Sequence, residues 1–309
     1  MSINFEEIGR RLRAYRRGSG LKPEELAGKL GVSRAAIYRL EAGEVVKVDT
    51  LIRIAEVLET SVASLLGVGV EYYPNPVSFF ERMRQLEGEA ERVVAHFEPI
   101  SYLLTTAEYT GHLHQALVEA LPKGLAGSRS AAREIDALVD VLRARKSTLE
   151  RRPPSIVSII GEMEIERFLE LGLVGRLQLP PEIRALRRAA ARVEMMHLCE
   201  LIDREPMGVQ IGVFEDALPH VTFQLFYTPR GTYVAASPFR LGELPNIRYG
   251  VAIVTPAAEG VKLYESLADD LWRRSLKGPA AADLIRQIIS RQTASQEAAP
   301  AALKATRRR

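Results

Sequence analysis

Residues 26–43 read LAGKLGVSRAAIYRLEAG, two short helical patterns separated by one glycine. Gly31 can adopt the left-handed backbone conformation that a tight turn between helices requires. Ala27 is small enough for a second helix to cross the first closely. Apolar residues recur on one side of both helices and would pack inward: Leu26, Leu30, Val32, Ile37 and Leu40. The stretch therefore predicts two helices that cross at a tight turn.

The opposite side of the second helix is polar and would face outward. It carries Ser33, Arg34, Ala35, Tyr38 and Arg39. Arginine can form two hydrogen bonds with guanine, and a small alanine allows close approach or contacts a thymine methyl group. In a helix-turn-helix the second helix enters the major groove. The pattern therefore favours DNA recognition over a plain helical hairpin with solvated arginines.

Positive charge is concentrated around this stretch. Nine basic residues lie between Gly9 and Arg39, against only Glu24 and Glu25 in the same window. They are Arg10, Arg11, Arg13, Arg16, Arg17, Lys22, Lys29, Arg34 and Arg39. The net charge of the whole chain, +3, indicates no partner by itself. A local excess of positive charge favours a polyanion such as DNA.

The surrounding residues 3–66 predict five short helices. Pro23 suits the first turn of the second helix, Ser33 is a good N-cap for the third, and Gly43 ends it. Asp49 or Thr50 would open the fourth. Residues 1–66 are thus predicted to form an all-α DNA-binding domain.

The segment LKPEELAGKLGVSRAAIYRLEAGE…VDTLIRIAEVLETSVASLL resembles the DNA-binding domain of the Cro/C1-type, or xenobiotic-response-element, family of repressors. The resemblance covers residues 8–66. It implies that Ser33, Arg34, Ala35 and Arg39 face the bases.

The same resemblance implies phosphate contacts for Lys22, Tyr38 and Lys47, and an internal ion pair between Arg16 and Glu41. One departure is Pro23, which stands where many members carry a phosphate-binding glutamine. Proline offers no donor, so that phosphate contact is expected to be missing.

The rest of the chain predicts a larger α+β domain with a mixed sheet. Residues 67–76, GVGVEYYPNP, are interpreted as a linker, residues 77–290 as the α+β domain, and residues 291–309 as a disordered tail. A series of apolar residues from Val77 to Phe97 predicts one long helix, which either packs on its own domain or forms a dimer seam. Strand-like runs occupy residues 155–160, 208–214, 222–227, 232–236 and 247–254.

Parts of this second domain resemble WhiJ-type regulators, over roughly residues 80–285. The matching segments are HFEPISYLLTTAEYTGHL, LRARKSTLERRPPSIVSIIGEMEIER and VQIGVFEDALPHVTFQLFYTPRG…YVAASPFRLGEL. The chain departs from that family in lacking its Pro-Gly step between Ile100 and Leu104 and in having Thr105-Thr106 instead of Gln-Thr. The resemblance implies a regulator that acts with a small partner protein.

No catalytic or metal-binding pattern is recognisable in this domain. His112 and His114, like His197 and Cys199, are two residues apart and point away from each other on a helix. Cys199, the single cysteine, is expected to be a buried structural thiol. Seven aromatic residues could line a ligand pocket or belong to the core: Tyr102, Tyr109, Phe214, Phe223, Phe226, Tyr227 and Trp272. We therefore expect no enzyme activity, cofactor or metal.

The function expected from these patterns is sequence-specific, dimeric DNA binding that regulates transcription. The second domain would sense a small-molecule effector or a partner protein and would also provide the dimer contact. An antitoxin-like DNA-binding protein that neutralises a partner is the alternative, and an enzyme that carries a DNA-binding module is a third hypothesis. The N-terminus has no apolar signal core and no segment is apolar enough to span a membrane, so a cytoplasmic location is expected.

Overall fold

The computed structural model describes residues 4–44, 47–219 and 221–306, with side chains to residue 296. Its N-terminal region consists of five helices: α1 (Phe5–Gly18), α2 (Pro23–Leu30), α3 (Arg34–Glu41), α4 (Val48–Val57) and α5 (Val62–Leu66). Gly31 ends α2 with φ of +66°. The Ser33 hydroxyl caps α3 by accepting a hydrogen bond from the Ala36 N–H at 3.1 Å. The five predicted helices are confirmed, although α4 begins slightly earlier, with Lys47 as its N-cap.

An α+β region follows. Its elements are β1 (Glu71–Tyr73), α6 (Pro76–Glu89), β2 (Arg92–His96), α7 (Tyr109–Glu119), α8 (Arg129–Arg151), β3 (Ser155–Gly161), α9 (Glu162–Leu171), α10 (Pro181–Arg204), β4 (Val209–Phe214), β5 (Thr222–Thr228), β6 (Gly231–Ser237), β7 (Ala252–Thr255), α11 (Ala258–Arg274), β8 (Leu276–Lys277) and α12 (Gly278–Thr306).

The strands form one mixed sheet in the order β1-β7-β6-β5-β2-β3-β4-β8. Strands β2, β3 and β4 are parallel, because helical crossovers connect them, and the remaining pairs are antiparallel. Helix α11 covers one face, where Ala268 and Leu271 pack among strand residues such as Val157 and Phe223. The larger core lies on the other face and includes the N-terminal helices. The predicted α+β architecture is confirmed.

The interpretation of residues 67–76 as a linker is wrong. Residues 71–73 form β1, which pairs with β7 at the edge of the sheet. The Thr255 hydroxyl also donates a hydrogen bond to the Gly69 carbonyl at 2.7 Å. Glycine and proline favoured a linker in the sequence, but the pairing partner of this strand lies about 180 residues away and leaves no local signal.

The single helix predicted for residues 77–97 is also wrong. Helix α6 ends at Glu89, Ala90 has an extended backbone, and β2 begins at Arg92. Strand β2 lies between β3 and β5 and bonds to both. The apolar spacing continues through both elements because α6 and β2 are each buried on more than one side.

The predicted disordered tail differs from the structure as well. Helix α12 continues to Thr306, and residues 307–309 lie outside the described residues. Gln296 accepts a hydrogen bond from Arg192 at 3.0 Å and donates one to the Leu169 carbonyl at 3.1 Å. These polar contacts with α9 and α10 hold a segment that has little apolar periodicity of its own.

Candidate nucleic-acid interface

Helices α2 and α3 cross on a buried apolar contact. Leu26 and Ile37 are fully buried at the crossing, and Ala27 is 4% exposed. Helix α1 packs on α3 at Gly9, where an added Cβ atom would lie 2.5 Å from the Leu40 carbonyl oxygen. The side of α3 opposite these contacts is therefore free to meet a partner.

The four residues expected to face bases lie on that free side of α3. Ser33, Arg34, Ala35 and Arg39 are all exposed. The Arg34 guanidinium lies 2.9 Å from a Glu24 carboxylate oxygen, and that of Arg39 lies 2.8 Å from Glu44. Both pairs are exposed and contribute little to stability, so either arginine can exchange its carboxylate for a base.

Three residues are expected to contact phosphates. Lys22 is exposed at the N-cap of α2, where its backbone N–H donates to Glu25 at 2.7 Å, and Lys47 is exposed at the N-cap of α4. Tyr38 is 47% exposed, and its hydroxyl accepts a hydrogen bond from Arg34 at 3.0 Å. Tyr38 is thus on the outer side of α3, and Lys22 and Lys47 are exposed at the N-termini of α2 and α4.

Arg16 and Glu41, for which the resemblance implied an ion pair, are in contact. Arg16 Nε donates to Glu41 Oε1 at 2.5 Å, and Arg16 Nη1 donates to the Leu21 carbonyl at 2.8 Å. Less than a tenth of either side chain is exposed. The pair fastens the C-terminal end of α3 to α1 and to the turn before α2.

The structure reduces the charge that the sequence window suggested. Six of the nine basic residues are in ion pairs, and the pairs of Arg34 and Arg39 are exposed. The other four arginines are buried or half-buried, and their carboxylates all lie outside the window. These pairs are Arg10 with Glu6 and Glu89, Arg11 with Glu71, Arg16 with Glu41, and Arg17 with Glu81. The other five basic residues are exposed or nearly so, namely Arg13, Lys22, Lys29, Arg34 and Arg39. The exposed positive charge is thus smaller than the sequence count suggested.

Arg13 is a candidate contact that the sequence reasoning did not single out. It is exposed on α1 and lines a groove of about 360 Å³ together with Pro23, Tyr38 and Ala42. This groove joins the N-terminus of α2 to the outer side of α3. The helical period could have indicated Arg13, because it lies opposite the buried residues Leu12 and Tyr15.

A buried ionic network fixes these helices to the sheet. Arg82 of α6 donates to Glu7 of α1 at 3.1 Å and to Glu71 of β1 at 3.0 Å. Arg11 of α1 donates to Glu71 at 2.6 Å, and Arg230 in the β5–β6 turn donates to Glu7 at 3.0 Å. The orientation of α1, and of α3 on it, is therefore set by the α+β region.

The network also determines the ionisation of its carboxyl groups. Burial would raise the pKa of Glu7 and Glu71, but the neighbouring Arg82 and Arg11 outweigh it and lower both pKa values below 4.5. Burial also raises the pKa of Tyr73 well above 10, so its hydroxyl stays protonated and donates to Glu71 at 2.6 Å.

A protein-family model described as a helix-turn-helix domain matches residues 7–66. Residues 7–66 therefore form a helix-turn-helix domain. Its range coincides with α1–α5, and it supports a DNA-binding regulator. Comparison with curated proteins finds no match.

The aromatic residues of the α+β region belong mainly to its core. Tyr102, Tyr109, Phe214, Phe223 and Phe226 are each at most 3% exposed. Trp272 differs, because it lines an open pocket of about 360 Å³ beside Met207 and Lys277. It is the only tryptophan of the chain.

Cys199 and His114 lie at separate places in the α+β region. Cys199 is buried, as predicted, and burial raises the pKa of its thiol to about 11. His114 lies 3.1 Å from Asp136 at the surface. Among the described residues, no group of three or more His, Cys, Asp or Glu side chains is arranged to hold a metal ion, and no helix is long and apolar enough to cross a bilayer.

Proposed function

We propose that this chain is a sequence-specific transcription regulator of the Cro/C1 type, acting in the cytoplasm. The observation that carries the proposal is the polar outer side of α3, where Arg34 and Arg39 are exposed. On the opposite side, Ile37 is buried and the Arg16–Glu41 pair joins α3 to α1. A rigid helix that presents two arginines is suited to reading guanines in the major groove.

Selection of binding sites from random duplexes, followed by competitive gel shifts, tests this function. We expect Arg34→Ala and Arg39→Ala to lose about 1–3 kcal/mol of discrimination for each base contact removed. Lys22→Ala should instead weaken binding to all duplexes alike, because a phosphate contact carries no sequence information. Unchanged specificity in both arginine variants would contradict the assignment of α3.

The regulator is proposed to bind as a homodimer, since one helix-turn-helix covers little DNA. The apolar series from Val77 to Phe97, expected as a possible seam, is buried inside the chain. Helix α10 provides a better surface, because Leu186, Val193 and Met196 are exposed at heptad spacing by 67%, 59% and 44%.

The charged residues of α10 do not extend this apolar stripe. Arg188 and Arg192 are half-buried and donate to the Glu170 carbonyl and to Gln296 within the chain. The proposed dimer seam is therefore the outer face of α10 that carries Leu186, Val193 and Met196.

The α+β region is proposed to receive a signal and to have no enzyme activity. The open pocket at Trp272 is the site proposed for an effector. A metabolite that binds there should stabilise the protein by mass action and change its tryptophan fluorescence, which comes from Trp272 alone. A WhiJ-type small partner, or the partner of an antitoxin-like protein, would instead co-purify with the chain and leave that fluorescence unchanged.

A further inference from the structure

A second groove continues from the groove beside Tyr38 onto the α+β region. It measures about 620 Å³ and lies between α1 and α6. Arg13, Glu41 and Ala42 line both this groove and the groove beside Tyr38. The two grooves therefore form one continuous track, which starts at α2 and α3 and ends at Arg84 and Arg152. We name its distal part the α1–α6 groove.

The carboxylates of the α1–α6 groove are already neutralised. Glu6 lies 2.8 Å from Arg230, Glu89 contacts Arg10, and Glu41 pairs with Arg16. Each of these contacts is an ion pair within the protein. The acidic side chains therefore do not offset other cations along the track.

Two cations along the track have no carboxylate partner among the described residues. Arg13 is exposed, and Arg152 is exposed with a single long hydrogen bond, of 3.4 Å, to the Gly88 carbonyl. Arg84 adds positive charge, because its partner Glu81 is shared with Arg17. The α1–α6 groove consequently presents free guanidinium groups to whatever occupies it.

The lining is chemically suited to phosphates rather than to a protein. Ala42 and Gly88 are its only apolar members, so it lacks the aromatic and aliphatic side chains found at the centre of protein interfaces. Arginine forms strong, charge-assisted hydrogen bonds with phosphate oxygens. Since the track begins beside the base-facing residues, the nearest phosphates are those of the DNA that α3 reads.

We infer that Arg152 of the α+β region binds the phosphate backbone of DNA that flanks the sequence read by α3, with Arg13 between them. This rests on the proposed DNA binding. It assigns part of the DNA interface to residues outside the helix-turn-helix domain and lengthens the footprint on one flank of each half-site. The fixed orientation of α1 against the sheet keeps Arg152 in register with α3.

Salt-dependent affinity of the full chain tests the inference with Arg152→Gln and a matched control, Arg143→Gln. Arg143 is exposed on α8, is paired with Asp140 and does not line the groove. On a duplex with a long flank, Arg152→Gln should lower the slope of log affinity against log salt by about 0.9, the value for one phosphate contact. Arg143→Gln should keep the parent slope.

Duplex length separates this inference from the proposed function. On a duplex trimmed to the bases that α3 covers, Arg152→Gln and the parent protein should bind equally, whereas Arg13→Gln should weaken binding on both duplexes. A parent protein without sequence preference would overturn the proposed function. If the parent protein binds specifically but Arg152→Gln and Arg143→Gln have the same salt slope on the long duplex, the inference is overturned and the proposed function is not. The occupant of the groove would then be an acidic protein.

Discussion

Arginine has two different roles within a few residues of this sequence, and burial separates them. Arg16 is 8% exposed and holds Glu41, whereas Arg39 keeps 64% of its side chain in solvent beside Glu44. A buried pair that loses one partner leaves an uncompensated charge, but an exposed pair contributes little. The same residue type therefore stabilises the domain at one position and remains available for DNA at the other.

Glu41→Ala is expected to lower the free energy of unfolding by about 3 kcal/mol, because it leaves the Arg16 guanidinium buried without its carboxylate. Glu44→Ala is the matched control and should change stability by less than about 1 kcal/mol, since its pair with Arg39 is exposed. Urea unfolding followed by circular dichroism measures both. Equal midpoints for the two variants would mean that the Arg16–Glu41 contact does not stabilise the domain.

At the scale of elements, close approach of backbones decides how α3 is presented. Gly9 lets α1 lie against the C-terminal end of α3, because an added Cβ would be 2.5 Å and 2.7 Å from the carbonyl oxygens of Leu40 and Glu41. These are backbone atoms, so a side chain at this position requires the two helices to separate. The position of α3 on α1 thus depends on the absence of a side chain at Gly9.

Gly9→Ala should destabilise the protein by about 1–3 kcal/mol, as overpacking does, and should also weaken DNA binding because α3 shifts. Gly28→Ala is the control in the neighbouring α2. Nothing lies within 4 Å of its added Cβ, so alanine should stabilise the helix by about 0.5–1 kcal/mol. Thermal melts and gel shifts on both variants test this; a Gly9→Ala protein that melts and binds like the parent would contradict the packing.

On the scale of the whole molecule, the helix-turn-helix domain is packed directly on the sheet. The Tyr15 ring stacks on Tyr73 with centroids 4.8 Å apart, and Arg82 bridges Glu7 and Glu71. A fragment that ends at Leu66 would expose Arg11 and Tyr15. Such a fragment is expected to be less stable than the full chain and to bind DNA weakly, because it loses these contacts as well as any dimer contact of the α+β region.

Arg82→Leu should destabilise the full chain by about 3–5 kcal/mol, because Glu7 and Glu71 remain buried with fewer positive neighbours. Arg84→Leu, two residues along the same helix, should have a much smaller effect, since Arg84 is partly exposed and its partner Glu81 keeps Arg17. Denaturant titration of both proteins at neutral pH measures the difference.

The pH dependence of that difference provides a second readout. The folded protein lowers the pKa of Glu7 and Glu71 below 4.5, so their contribution to stability is complete above about pH 4.5 and is lost as the pH falls further. The stability difference between the parent and Arg82→Leu should therefore narrow between about pH 5 and pH 3. A constant difference would mean that these carboxylates are not the groups that Arg82 stabilises.

The oligomeric state is also a property of the whole molecule. If the outer face of α10 is the seam, Val193→Glu should convert a dimer into a monomer and leave the melting temperature nearly unchanged, because Val193 is exposed in the single chain. Leu263→Glu, an equally exposed apolar position on α11, is the control and should stay dimeric. Light scattering at several protein concentrations measures the oligomeric state of both variants. If both are monomeric, or both are dimeric, the outer face of α10 is not the dimer contact.

The sequence by itself determined the helix-turn-helix domain, because its signals are local. The turn at Gly31, the cap at Ser33 and the spacing of Leu26, Leu30 and Ile37 all act within a few residues of one another. The outward residues of α3 follow from the same period. Most strands of the α+β region were also predicted, since β-branched and aromatic runs mark β3 to β6.

Only the tertiary structure decided what these elements contact. Strand β1 forms because β7, distant in sequence, lies beside it, and β2 interrupts a helical pattern because β3 and β5 bond to both its edges. The sequence also could not show how much positive charge is left unpaired in the helix-turn-helix domain. Arg11 and Arg17 are neutralised by Glu71 and Glu81, which lie outside the motif. Periodicity and capping act over a few residues, whereas strand pairing and ion pairing depend on which distant segments folding brings together.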